Sequence, residues 1–391
     1  MIQNQLDKEF WESIRNRKEL KSSLREISEE CIECGLCVKQ CAFLAKYGTP
    51  KKIAENWYHE DAGLPQDPFE CSLCNLCTAV CPVKIDPRQM FLAMRRYTAA
   101  SSNADFAKQK PLIKFEQRGT SKRYSFYGLP TGCDSVFFPG CALSGTRPQR
   151  VKQLYDHLLE HFPNLGIVLD CCTKPSHDLG RTDFFLAMFR EMLHYLVEHN
   201  IKTILVACPS CYAVFNQHGK GISTRSVYEI LAREYWQPEV LPTAEPVAIQ
   251  DSCVARFEKD MQASVRKLVK ACGVTHEEMK HHGKKTLCCG EGGGAYFVAP
   301  DLAGNWAEMR RQQVNGRRII TYCAGCANFL SKVCPTIHLL DLLFSPAAAL
   351  AGKTRAAKAP FTYLNRLLLK RKLKKKMKYA FSRERTYKWE D

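Results

Sequence analysis

No run of about eighteen apolar residues occurs anywhere in this 391-residue chain, so the sequence encodes no helix that spans a bilayer. The opening thirty residues are charged and lack the apolar centre of a secretory signal. No G-x-G-x-x-G follows a strand and no G-x-x-x-x-G-K-[ST] is present, which leaves no fingerprint for binding a flavin, a nicotinamide or ATP. Twenty-one cysteines are there instead. Without a signal they argue for a reducing, cytoplasmic setting and for metal ligation rather than disulfides.

Eight of those cysteines form two copies of C-x2-C-x2-C-x3-C. The first is Cys31, Cys34, Cys37 and Cys41; the second is Cys71, Cys74, Cys77 and Cys81, followed by Pro82. Three closely spaced thiolates reach one 4Fe–4S cube in such a run, and the fourth reaches the other cube. Zinc is the alternative, but it takes four ligands, usually as two pairs across a longer loop. The spacing predicts two ferredoxin-type 4Fe–4S clusters and a role in electron transfer. Phe10, Trp11, Ile14, Leu20 and Leu24 give the first segment a helical apolar stripe, and Lys51–His59 and Asp86–Tyr97 also look helical.

The remainder repeats internally. In the first copy a strand-like run, Val136–Phe138, leads to Cys141; Gly166–Leu169 leads to Cys171 and Cys172; Thr203–Val206 leads to Cys208 and Cys211. In the second, Val247–Ile249 leads to Cys253, then come Cys288 and Cys289, and Arg318–Thr321 leads to Cys323 and Cys326. Corresponding cysteines lie 112, 117 and 115 residues apart. Amphipathic segments such as Asp183–His199 and Asn305–Asn315 separate the strands, which predicts a small α/β domain made twice. Each copy offers five thiolates for a shared cluster site; two zinc sites, or one occupied site and one relic, are the alternatives. Cys133, Cys272 and Cys334 fall outside the pattern and read as structural. His177, His281, His282 and His338 lie near it, as packed histidines or as proton donors.

This arrangement resembles the cysteine-rich CCG domain family, over nearly the whole chain up to about Leu350. Similar architectures occur in the D subunit of heterodisulfide reductase, the iron–sulfur subunit of glycolate oxidase and the C subunit of anaerobic glycerol-3-phosphate dehydrogenase. The resemblance, taken together with the composition, predicts an α+β multidomain chain: a helical ferredoxin domain over 1–100, a linker over 101–132, CCG domains over 133–240 and 241–352, and, beyond its reach, a basic tail over 353–391. It also implies a non-cubane 4Fe–4S cluster on each five-cysteine set. Cys141, Cys171, Cys172, Cys208 and Cys211 would hold one; Cys253, Cys288, Cys289, Cys323 and Cys326 would hold the other. The second copy follows the motif as Cys288–Cys289–Gly290, with Gly292–Gly294 beyond, whereas Thr173 replaces the glycine in the first. The function implied is an iron–sulfur oxidoreductase subunit that reduces a disulfide or exchanges electrons with a quinone. The alternative is a relay between a flavoprotein partner and the membrane quinone pool. No residue is singled out as catalytic.

Net charge is +17, of which +11 lies in residues 353–391. There Leu364, Leu368, Leu369, Leu373, Met377 and Phe381 recur mainly every fourth residue among lysines. Such a helix suits an anionic membrane surface or a membrane-anchor subunit on the inner face of the cell membrane. A helix packed on the body, or a nucleic-acid contact, are the other readings.

Overall fold

The computed structural model describes residues 2–58, 67–101, 104–236, 239–241 and 245–389, with side chains of the first helix described from Asn16. The chain is divided into two units. Residues 1–113 form the first unit together with Pro175–Phe185 and Leu287–Met309; residues 114–174, 186–286 and 310–391 form the second.

Helices dominate the first unit. Ile2–Glu30 packs against Pro50–Tyr58 and Pro87–Ala99. The last starts where predicted because Pro87 fills its first position and the Asp86 side chain accepts the Gln89 N–H at 3.3 Å. Leu20, Leu24, Ile27, Ile53, Trp57, Met90, Phe91 and Met94 close the core. Leu20 and Leu24 thus occupy the buried face expected of the stripe; the side chains of Phe10, Trp11 and Ile14, and the residue His59, lie outside the described residues.

The second unit contains both sheets. The first is built from β1 (Phe126–Leu129), β2 (Ser135–Phe138), β3 (Gly166–Leu169), β4 (Thr203–Val206) and β5 (Ser223–Ser226). The second uses β6 (Val247–Gln250), β7 (His276–Glu277), β8 (Ile319–Thr321) and β9 (Thr336–His338). A further strand, β10 (Phe381–Arg383), returns to the first sheet, giving the orders β10-β1-β3-β2-β4-β5 and β7-β6-β8-β9. β2 runs parallel to β3 and β4, and β6 parallel to β7 and β8. The central strands are short, apolar and buried on both faces, as parallel sheets under helices require. The chain is therefore an α+β protein, a helical ferredoxin region followed by two α/β cysteine-rich regions.

Two segments depart from expectation. The stretch 101–132 is more than a linker: it holds a helix, Lys110–Gly119, and strand β1 at the sheet. The basic tail is not a free amphipathic helix. Its helix, Phe361–Lys374, ends before Met377 and Phe381, and Leu369 and Leu373 are buried in the core of the second unit. The apolar stripe divides, leaving Phe361, Leu364 and Leu368 exposed. Beyond it, β10 pairs antiparallel with β1.

Candidate metal centres

The cysteines of the ferredoxin region line two clefts. Cys31, Cys34 and Cys37 face Cys81 across one of about 360 Å³. Cys71 and Cys74 face Cys41 across another of about 410 Å³, and Cys77 lines both. Each motif thus sends its last cysteine to the cleft of the other. Local backbone makes this possible. Glu33, Leu73 and Asn75 adopt left-handed conformations between the cysteines (φ 52°, 48° and 63°), a costly choice for residues with a Cβ. In the second motif the Leu73 N–H lies 3.4 Å from Cys71 Sγ.

Burial, then the neighbouring thiols, push Cys37 up to about 11. Burial does the same for Cys71, also to about 11, although Arg95 opposes it, and Cys41 and Cys77 are raised further. Thiols packed this way ionise together only on a cation, so the donor set fits an iron–sulfur cluster.

Arg95 is fully buried beside the second cleft. It donates to the carbonyls of Pro68 (2.9 Å), Phe69 (3.2 Å), Asp178 (2.7 Å) and Gly293 (2.6 Å), and to that of Cys71. Gly293 is at φ 64°, and a Cβ on it would lie 2.9 Å from the Ser72 carbonyl carbon. The glycines after Cys289 therefore bring the chain against the ferredoxin loop. Spacing alone gave no signal for Arg95.

The first five-cysteine set is gathered by the sheet. β3, β2 and β4 lie side by side and parallel, so Cys141, Cys171–Cys172 and Cys208 leave adjacent strands at one edge. Cys141 Sγ lies 3.8 Å from Cys171 Sγ, and Cys172 Sγ lies 3.4 Å from Cys211 Sγ. The backbone at Gly140 (φ 84°) favours glycine, and a Cβ there would crowd Cys211 Sγ at 3.2 Å. Cys208 caps the helix Pro209–His218. A hydrogen bond from Cys211, with the N–H groups of Cys211 and Ser210, overcomes burial and brings Cys208 down to about 7. Cys141 is also lowered, by its bond with Cys171 and by Arg366 against burial. Convergent sulfurs of mixed ionisation fit a metal cluster here as well.

In the second set, Cys253 follows β6, and Cys323 follows the parallel neighbour β8, capping the helix Ala324–Leu330 that carries Cys326. All three are buried in the second unit. Cys288 and Cys289 are buried in the first, where the Gly290 N–H reaches Cys288 Sγ at 3.3 Å.

The histidines are tied into local structure. His177 Nδ1 lies 2.9 Å from Asp178, His281 Nδ1 2.8 Å from Gln313, and His282 Nδ1 2.8 Å from the Met279 carbonyl. His338 accepts the Leu340 N–H, and burial, then Arg147, bring it down to about 3, so it is neutral. Cys133 and Cys334 contact backbone carbonyls and Cys272 is in the core.

Residues 27–85 match the 4Fe-4S dicluster domain, and residues 135–216 and 247–331 match the cysteine-rich domain. The chain belongs to the CCG-domain iron–sulfur proteins, and it is an iron–sulfur oxidoreductase subunit. It is 23% identical to the B subunit of fumarate reductase (CoM/CoB) of Methanothermobacter marburgensis, over 81% of this chain and 72% of that one. Identity is also 23% to the D subunit of the dihydromethanophenazine:CoB–CoM heterodisulfide reductase of Methanosarcina mazei, over 78% of this chain and 86% of that one. It is 27% to the EtfAB:quinone oxidoreductase of Syntrophomonas wolfei, over 50% of this chain and 30% of that one. Among the described residues no helix is long and apolar enough to cross a membrane.

Proposed function

We propose that this chain carries electrons between a redox partner, such as a flavoprotein subunit, and an acceptor that is either a disulfide or a quinone. The observation that carries the reading is the convergence of cysteine sulfur at three places, the two ferredoxin clefts and the first five-cysteine set. Cys31, Cys34, Cys37 and Cys81 would hold one 4Fe–4S cluster, and Cys71, Cys74, Cys77 and Cys41 the other. Cys141, Cys171, Cys172, Cys208 and Cys211 would hold a third. Bound clusters supply one-electron storage and transfer, and two together match a two-electron acceptor.

The protein supplies insulation, orientation and docking. Phe43, Phe91 and Trp306 wall the second cleft. The first is more open: Cys34 is exposed, and Ile32, Leu36 and Val83 form an apolar rim with 62%, 44% and 40% of their surfaces accessible. That rim is where a partner protein would dock. The names of the heterodisulfide- and CoM/CoB-linked relatives favour a disulfide acceptor.

A pure relay to the quinone pool is the second reading. The quinone-linked relative favours it, as does the exposed face of Phe361, Leu364 and Leu368 among lysines, which suits a membrane surface or anchor subunit.

The test is anaerobic purification with iron, sulfide and zinc counted per chain, and EPR of the reduced and thiol-treated oxidised protein. Iron for more than two clusters, with a new oxidised-state signal on adding thiol, supports disulfide chemistry. Iron for two clusters and no thiol response leaves the relay; zinc in place of iron overturns both.

A further inference from the structure

Among the described residues, two buried donor atoms beside the first five-cysteine set have no hydrogen-bond partner. The Thr173 hydroxyl follows directly on Cys172; the residue is wholly buried and its Oγ1 makes no hydrogen bond. Its backbone is left-handed at φ 54°, a conformation a β-branched residue rarely adopts. The same position in the second copy is Gly290, at φ 101°. Arg366, from the C-terminal helix, is 4% exposed and leaves Nη1 without a partner. Its Nη2 reaches the Gly119 carbonyl at 3.4 Å, and its guanidinium lies over the Tyr124 ring at 5.0 Å. Arg366 and Cys171 meet at one glycine: a Cβ on Gly119 would lie 3.0 Å from Cys171 Cβ and 3.7 Å from Arg366 Nη1.

A strained threonine and a buried, half-satisfied arginine are both costly to keep in a structural role. We propose that Thr173 Oγ1 and Arg366 Nη1 are donors to sulfur at the first five-cysteine site, and that they raise its reduction potential. The physical reason is general. Reduction adds negative charge, and a buried cation and a hydrogen bond stabilise the reduced state more than the oxidised one. The C-terminal helix gains a purpose beyond packing, since it delivers the cation.

The inference rests on a cluster being bound at the first site, and the test separates the two. The full chain is purified anaerobically, iron is counted, and the signal lost in Cys208→Ser is assigned to the first site. Its midpoint potential is then measured by EPR-monitored redox titration in wild type, T173V, T173S, R366M and R366K. The expected result is a lower midpoint in T173V and R366M, near-wild-type values in T173S, partial retention in R366K, and unmoved ferredoxin signals. Wild-type midpoints in T173V and R366M at full iron content overturn the inference. Iron for the ferredoxin clusters alone in wild type overturns the reading of the site beneath it. T173V preserves side-chain shape, so the test stands even where R366M fails to fold.

Discussion

Arg385 places Nη2 2.7 Å from Asp170 Oδ2, with both side chains fully buried. Asp170 immediately precedes the first cysteine pair, and its other oxygen accepts the Cys171 N–H at 2.7 Å. The same guanidinium reaches Glu191, the Met188 carbonyl and Tyr127. The basic tail is thus a structural strap on the first cysteine-rich region, joined through the Asp170 carboxylate to the backbone of a candidate ligand.

Removing that cation leaves a buried carboxylate uncompensated. Arg385→Met is expected to cost about 3–5 kcal/mol, read as a lower denaturation midpoint. Asp170→Asn, which keeps an acceptor at the same position, should cost less. Equal stability of Arg385→Met and wild type would contradict the strap.

Arg95 makes the same kind of argument in the ferredoxin unit, where it gathers carbonyls from three separate chain segments. Arg95→Met should destabilise by several kcal/mol, because buried carbonyls lose charged donors. It should also lower iron retention at the Cys41, Cys71 and Cys74 cleft more than at the other cleft. Uniform iron loss across both would show a global effect only.

Crossed ligation predicts which pairs of lesions are redundant. Cys41→Ser and Cys71→Ser lie on one cleft, so the double variant should lose little more iron than either single one. Cys41→Ser with Cys31→Ser lies on two clefts and should lose roughly the sum. The opposite pattern would mean that each motif binds its own cluster.

His338 gives a pH dependence with a definite sign. Its folded value falls from 6.5 to about 3, chiefly through burial, so the unfolded chain binds a proton that the folded chain refuses. The contribution is present above pH 6.5 and is lost as pH falls from 6.5 towards 3, at up to about 1.4 kcal/mol per pH unit. His338→Gln should flatten this slope in urea titrations across that window. An unchanged slope would assign the acid sensitivity elsewhere.

The divided tail helix separates docking from folding. Leu364→Ser with Leu368→Gln alters exposed positions and should reduce co-sedimentation with anionic vesicles or native membranes while leaving the melting temperature within a few degrees. Leu373→Ala should instead cost about 2–5 kcal/mol, since that side chain is in the core. Undiminished co-sedimentation of the double variant would remove the docking proposal and leave the strap.

Much of this protein was decided by the sequence itself, where the chemistry is local. Cysteines spaced three apart can reach one cluster only in a tight loop, so spacing exposes the ferredoxin motifs. Short apolar runs ending in cysteine mark β2, β3, β4, β6 and β8 nearly to the residue, because a fully buried parallel strand tolerates little else. Thr173 could be seen as a departure from its repeat, though not that it would be strained, buried and unpartnered. The tertiary structure alone decided the rest. Phe361–Lys374 has leucines on more than one face, and only packing selects Leu369 and Leu373 as buried and Phe361, Leu364 and Leu368 as exposed. Arg366 and Arg385 look like members of a solvated charge run until they find Gly119 and Asp170, each more than two hundred residues away. Such partners are fixed by shape and by the cost of burying an unpaired charge, neither of which leaves a period in the sequence.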